Sequence, residues 1–217
     1  MLRIQTFTFN PFQENTYVIS DSDGHAAIID PGNYESWENQ KLVDYIQEEN
    51  LKPELLLNTH CHVDHVLGNA FVKRTFGIPL LIHEQENPVL NSVKVFAPNY
   101  GFVRYEPTEP DGYLTEHQII QLGSENLKVI FVPGHAPGHV VFYHESSQQC
   151  IGGDTLFRGS IGRTDLPGGN HDLLLKKIKS ELFTLPDETV VYPGHGPTTS
   201  IGFEKENNPF VGKKAAF

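Results

Sequence analysis

The 217-residue sequence predicts an α/β fold, and three observations carry that expectation. Short apolar runs of strand length alternate with stretches of helical periodicity, the pattern of helices laid on sheet faces. Nineteen glycines and fifteen prolines punctuate those runs at turn positions. Four of the apolar runs also end, within three residues, on a histidine or an aspartate. No linker interrupts the pattern, and at roughly 150 residues per domain a single domain over residues 1–217 is expected.

The elements follow in order. Residues 4–9, 16–19 and 26–29 read as strands, separated by the turn signals Asn10-Pro11 and Ser22-Asp23-Gly24. Residues 36–49 read as a helix, with Leu42, Tyr45 and Ile46 on one face. Leu55-Leu56-Leu57 is a short buried run, and 66–76 is a helix stopped by Gly77-Ile78-Pro79. Residues 80–83, 127–132, 140–143, 150–152 and 189–192 read as short strands. Residues 172–185 form a helix with Leu174, Ile178 and Leu182 on one face, ended by Pro186. The segment 88–112 shows little periodicity, and it reads as an irregular lid or pocket wall, or as a packed loop.

Composition excludes several classes. Two cysteines cannot build a disulfide scaffold. A net charge of −11 weighs against nucleic acid as the main partner. No apolar run approaches the roughly 20 residues needed to span a bilayer. The first residues show no basic leader followed by an apolar core. The expected setting is soluble, reducing and cytoplasmic.

The histidines carry the chemistry. His60-Cys61-His62-Val63-Asp64-His65 follows the run at 55–57, where a strand tip of an open α/β sheet places its ligands. Three further strands run into Pro133-Gly134-His135, Gly153-Asp154 and Pro193-Gly194-His195. The resulting set is His60, His62, Asp64, His65, His135, Asp154 and His195. Imidazole and carboxylate without thiolate suit a catalytic zinc, manganese or ferrous site rather than a closed structural one. Seven donors exceed one tetrahedral ion, and two divalent ions sharing a carboxylate fit the count.

With these motifs the chain resembles the metallo-β-lactamase superfamily, in its short, bacterial-type, glyoxalase II-like (hydroxyacylglutathione hydrolase-like) branch. Asn15-Thr16-Tyr17, Asp30-Pro31-Gly32, Gly-Arg-Thr-Asp-Leu-Pro-Gly-Gly at 162–169 and Asn208-Pro209-Phe210 extend the resemblance over almost the whole chain. It implies an αββα sandwich with the metals at the edge between two sheets. It implies that His60, His62 and His135 hold one ion, that Asp64, His65 and His195 hold the other, and that Asp154 bridges them. The two ions would be zinc foremost, with iron or manganese open. The implied reaction is cleavage of a small-molecule thioester such as S-lactoylglutathione, to glutathione and lactate, by a metal-bridging hydroxide that Asp64 aims. Arg163 would grip the glutathione part, or else serve as a surface partner of Asp165.

Departures bear on the substrate. Only 22 residues follow His195, so the helical glutathione-binding domain of longer relatives is not expected. Asp165 and Gly196-Pro197 stand where those enzymes have tyrosine-bearing segments. Persulfide dioxygenases, with one iron on the equivalents of His60, His135 and Asp154, form the alternative, as do lactonases and phosphodiesterases. Other polar residues read more simply. Cys61 should point away from the metals, Cys150 should be core, and His139 should support its turn. Asp30 is expected either to hold a ligand imidazole or to shape its turn.

Overall fold

A computed structural model describes residues 2–213 and 215. Residues up to Leu114, with 121–125, form one compact unit, and residues 115–120 with 126 onward form a second. Expected and observed elements coincide for most strands.

The first unit holds a six-stranded mixed sheet. Its strands are β1 (Arg3–Phe9), β2 (Glu14–Ser20), β3 (His25–Ile29), β4 (Lys52–Leu57), β5 (Leu80–His83) and β6 (Gly112–Leu114), paired in that order. The first two pairings are antiparallel, and β3 through β6 run parallel. Parallel strands need crossovers, and helices supply them. Helix α1 (Ser36–Glu48) starts on a capping box in which Glu35 and Glu38 satisfy each other's backbone N–H, and it buries Leu42 and Ile46. Those side chains join Val72, Leu90 and Val93 on Ile28, Leu56 and Leu80 in one apolar core.

The expected helix over 66–76 is instead two: α2 (Val63–Val66) and α3 (Asn69–Phe76). The break falls at Gly68, whose N–H is drawn out to Pro31 O at 2.7 Å. A Cβ there would stand 2.1 Å from Asn33 Oδ1, so a larger residue would have to displace the Asn33 side chain. The segment read as irregular contains a helix, α4 (Asn87–Phe96), followed by a 3₁₀ turn over Ala97–Tyr100. Pro88, in its first turn, is pre-set for a helix start, and Leu90 and Val93 are its buried stripe.

A second six-stranded sheet, most of it in the second unit, has β7 (Ile119–Leu122), β8 (Glu125–Phe131), β9 (Val140–His144), β10 (Gln149–Gly153), β13 (Val190–Pro193) and β14 (Thr199–Ser200) in the order β14-β13-β10-β9-β8-β7. A small hairpin, β11 (Leu156–Phe157) with β12 (Ser160–Ile161), lies between β10 and β13 in the chain. Strands β8 and β10 are each antiparallel to β9, and β13 is parallel to β10. Hence β8, β10 and β13 all point the same way. The expected helix over 172–185 is α5 (His171–Lys177) continued by a π turn, Ile178–Leu182, and it buries Leu174, Ile178 and Leu182. These side chains pack on Val132, Val141 and Val191, with Ile201 from α6 (Ile201–Asn207). No helix among the described residues is long and apolar enough to cross a membrane.

Candidate metal centre

In the first unit the parallel strands β3, β4 and β5 each end on polar residues that converge. After β3 comes Asp30, 1% exposed and held at a positive φ of 49°. It shapes its turn and also stands within hydrogen-bond distance of an imidazole. Its Oδ1 accepts the Thr59 N–H at 2.7 Å, and its Oδ2 accepts the Thr59 hydroxyl at 2.5 Å. That hydroxyl proton is thereby committed, so Thr59 Oγ1 receives His60 Nδ1–H across 3.1 Å. Asp30 Oδ2 also lies 3.2 Å from His65 Nδ1. One carboxylate thus favours the Nδ1–H tautomer of two imidazoles, His65 directly and His60 through Thr59, which makes Nε2 the nitrogen that a metal would use in each.

Asp30, His60 and His65 each offer a ligand atom, and those three atoms lie within 4.8 Å of one another. The His60 ring centroid is 4.8 Å from that of His62 and 4.1 Å from that of His65. His65 Nε2 stands 3.7 Å from Asp64 Oδ2. Glu14, fully buried, has Oε1 at 3.8 Å from His65 Nδ1 and accepts the Thr16 hydroxyl on Oε2 at 2.9 Å. Burial lifts its carboxyl well above the usual carboxylate range; His65 pulls it down, and Asp30 pushes it further up.

In the second unit the co-directed strands β8, β10 and β13 deliver His135, Asp154 and His195. Asp154 Oδ2 lies 3.6 Å from His135 Nε2 and 3.6 Å from His195 Nε2. Gly194 N–H donates to Gly153 O at 2.8 Å, which locks the β13 tip to the β10 tip. His135 Nδ1–H donates to the Arg163 carbonyl at 2.7 Å, which makes Nε2 the nitrogen that a metal would use. Gly162 leaves room for that arrangement, because a Cβ there would meet Asp154 O at 1.9 Å and His135 Nδ1 at 3.0 Å. His139 Nε2 accepts the Asp154 N–H at 3.0 Å, so His139 sets the aspartate's backbone.

The 3.6–3.7 Å nitrogen–oxygen separations are too long for hydrogen bonds. Two ligands at about 2.1 Å on a tetrahedral ion stand about 3.4 Å apart, close to these values. The donor set therefore suits divalent ions in both units, with Asp154 Oδ2 addressed by two imidazoles at once.

The Arg163 side chain is 61% exposed and forks onto Asp165 with two 2.8 Å hydrogen bonds, which hold the Asp165 carboxyl down at about 2. Cys61 and Cys150 are buried free thiols, both raised by burial, Cys150 to about 12. Sequence reasoning missed Thr59, Glu86 and the Arg163 carbonyl. Nothing in residue type or spacing marks them, since each acts through a backbone group or a hydroxyl relay.

A family model of the metallo-β-lactamase superfamily matches residues 9–195. The chain belongs to that superfamily. It has the metallo-β-lactamase fold, two mixed sheets with helices, and some of its curated relatives are named as probable metallo-hydrolases. It is similar to hydroxyacylglutathione hydrolase GloC of Haemophilus influenzae, 35% identical over 99% of this chain and 100% of that one. It is 39% identical to the probable metallo-hydrolase YqgX of Bacillus subtilis over 93% of each chain. Among solved structures, the BLEG-1 B3 metallo-β-lactamase matches with TM-score 0.86 and 36% identity, over 96% of this chain and 99% of that one. TTHA1623 in a di-iron-bound form matches with TM-score 0.85 and 37% identity, over 95% and 99%.

Proposed function

We propose that the chain, as one hydrolase domain over residues 1–217, is a cytoplasmic binuclear metallohydrolase that cleaves small-molecule thioesters of the S-2-hydroxyacylglutathione kind. The observation that carries this reading is Asp154 Oδ2, set 3.6 Å from each of two imidazole nitrogens as a shared ligand requires. His60, His62 and His135 would hold one divalent ion, Asp64, His65 and His195 the other, with Asp154 common to both. When bound, such a pair supplies hydroxide near neutral pH and polarises the scissile carbonyl. The protein's own part is orientation. Asp30 and the Arg163 carbonyl keep His60, His65 and His135 in ligating tautomers, and Asp64 presents a carboxylate oxygen that can accept and aim the nucleophile's proton. A thiolate leaves readily, so no dedicated acid is needed for it.

The thioester reading is also supported by the GloC relative, named as a hydroxyacylglutathione hydrolase. Arg163 as the grip on the carrier requires its guanidinium to exchange Asp165 for a substrate carboxylate. The test is metal analysis of the purified chain alongside hydrolysis of S-lactoylglutathione, with a β-lactam and glutathione persulfide as competing substrates. About two metal ions per chain and thioester turnover, abolished in Asp154→Ala and His195→Ala, is the expected result. About one iron with oxygen uptake on the persulfide, or turnover of the β-lactam alone, overturns it.

A further inference from the structure

We propose that Asn58, oriented by Asn69, is a positioning residue for the ion assigned to Asp64 and His65, and acts on it more than on the ion assigned to His60 and His62. This rests on the metal assignment above. Asn58 directly follows β4 and is 1% exposed, and its backbone N–H donates to Leu81 O of β5 at 3.2 Å. Its Nδ2 donates to the His65 carbonyl at 3.0 Å and lies 3.4 Å from Asp30 Oδ1. Both neighbours are acceptors, so the amino end of the amide must face them and Oδ1 must face away. That oxygen accepts Asn69 Nδ2 at 2.9 Å, and Asn69 is fully buried at the start of α3.

The two ends of the ligand loop are held by different groups. Asp30 and Glu86 accept the N–H groups of Thr59 and Cys61, each at 2.7 Å, beside His60 and His62. His65 lies on α2, a helix of only four residues. Carbonyls in the last turn of a helix find no N–H within that helix, and Asn58 brings a side-chain donor to one of them. Where the His65 peptide sits decides where its ring reaches, because Nδ1 also meets Asp30 Oδ2 at 3.2 Å. The distances decide which ion is affected. Asp30 Oδ1 is held at 2.7 Å by the Thr59 N–H, so losing the 3.4 Å contact leaves the relay to His60 in place. Losing the 3.0 Å bond loosens the end that carries Asp64 and His65. An aspartate at 58 would turn a carboxylate onto two acceptors, and an apolar residue would donate to neither.

Asn58→Leu keeps the branched shape and removes the donor. Imidazole nitrogen NMR spectra of the full chain, recorded through a Zn²⁺ titration, read the tautomer and ligation of each histidine separately and need no turnover. The expected result is unequal between the rings. Zn²⁺ affinity read at the His65 ring falls about tenfold or more, while affinity read at the His62 ring stays at its wild-type value. Asn69→Ala removes only the group that orients Asn58, so it lowers the His65 affinity less than Asn58→Leu does, with the same selectivity. Equal losses at the two rings overturn the proposal, since they mark Asn58 as general scaffold. So does an unchanged affinity at His65. If Asn58→Leu does not fold, Asn69→Ala decides by the same two readings, and failure of both to fold overturns the proposal as well. Wild-type protein whose histidine signals do not respond to Zn²⁺ overturns the metal assignment instead, and with it the premise of this inference.

Discussion

Thr59 shows how much one hydroxyl can organise. It donates to Asp30 and receives from His60, so a buried aspartate governs an imidazole it does not touch. Thr59→Val keeps the shape and breaks this relay, which leaves His60 Nδ1 without its acceptor. We expect Zn²⁺ affinity to fall about tenfold, in the range typical of lost supporting hydrogen bonds to metal-ligating histidines. Chelator competition measures it, and an unchanged affinity would show that the ring is held by packing alone. The candidate donors stand out in the sequence because metal chemistry restricts ligands to a few residue types, and four strand ends carry them. Thr59 and Glu86 were not legible, because a threonine or glutamate beside a turn is ordinary until its neighbours in space are known.

At the scale of elements, the parallel order of β3 to β6 explains why the ligand loop is so firmly set. Each strand end borders the next, so Asp30, the His60 loop and Glu86 meet without long reach. The outer member is fastened by Asp111. Its N–H donates to Leu80 O at 2.8 Å, its Oδ2 accepts the Leu80 N–H at 2.7 Å, and Lys73 of α3 lies 2.6 Å away. Lys73 holds the Asp111 carboxyl below its ordinary value, as does the Leu80 N–H. A carboxyl lowered in the folded state adds stability above its unfolded value near 4, and that stability is lost as pH falls through the lowered folded value. Asp111→Asn should therefore cost about 0.5–1 kcal/mol at pH 7, discounted for the half-exposed carboxyl, and progressively less below pH 4. Urea midpoints of both proteins at pH 7 and pH 3 measure the gap; one that stays constant would mean the ion pair contributes nothing. Helix α4 and the break at Gly68 escaped the sequence reading for related reasons. The α4 stripe is only two buried residues deep, and the break is enforced by Asn33 and Pro31, which lie far off in sequence.

For the whole molecule, the question is what neutralises its interior. Seven carboxylates are buried among the described residues, and no lysine or arginine is. Three of them are solvated by the protein itself. Asp21 accepts from the backbone of Asp23, His25 and Ser124. Glu38 accepts from Asn10, Tyr34 and Glu35, and Glu204 from Gly159, Thr199 and Asn208. The other four are Glu14, Asp30, Glu86 and Asp154. Each stands beside a histidine or its loop: Glu14 and Asp30 face His65, Glu86 accepts the N–H of Cys61 between His60 and His62, and Asp154 faces His135 and His195. Burial pushes the Glu14 carboxyl up. Two bound dications would change the formal charge from −11 to −11 + 4 = −7. Metal binding should then be a large part of folding stability. At metal concentrations 100-fold above the dissociation constant, each site adds about 2.7 kcal/mol. For a chain of this length that is about 5–10 °C in melting temperature per site. Melting curves with Zn²⁺, with chelator, and with Zn²⁺ restored should show a reversible drop and recovery of that size. If elemental analysis shows the metal gone while the melting temperature stays put, the buried acids are neutralised by protons or by the histidines alone. The binuclear centre would then have no energetic signature in the fold.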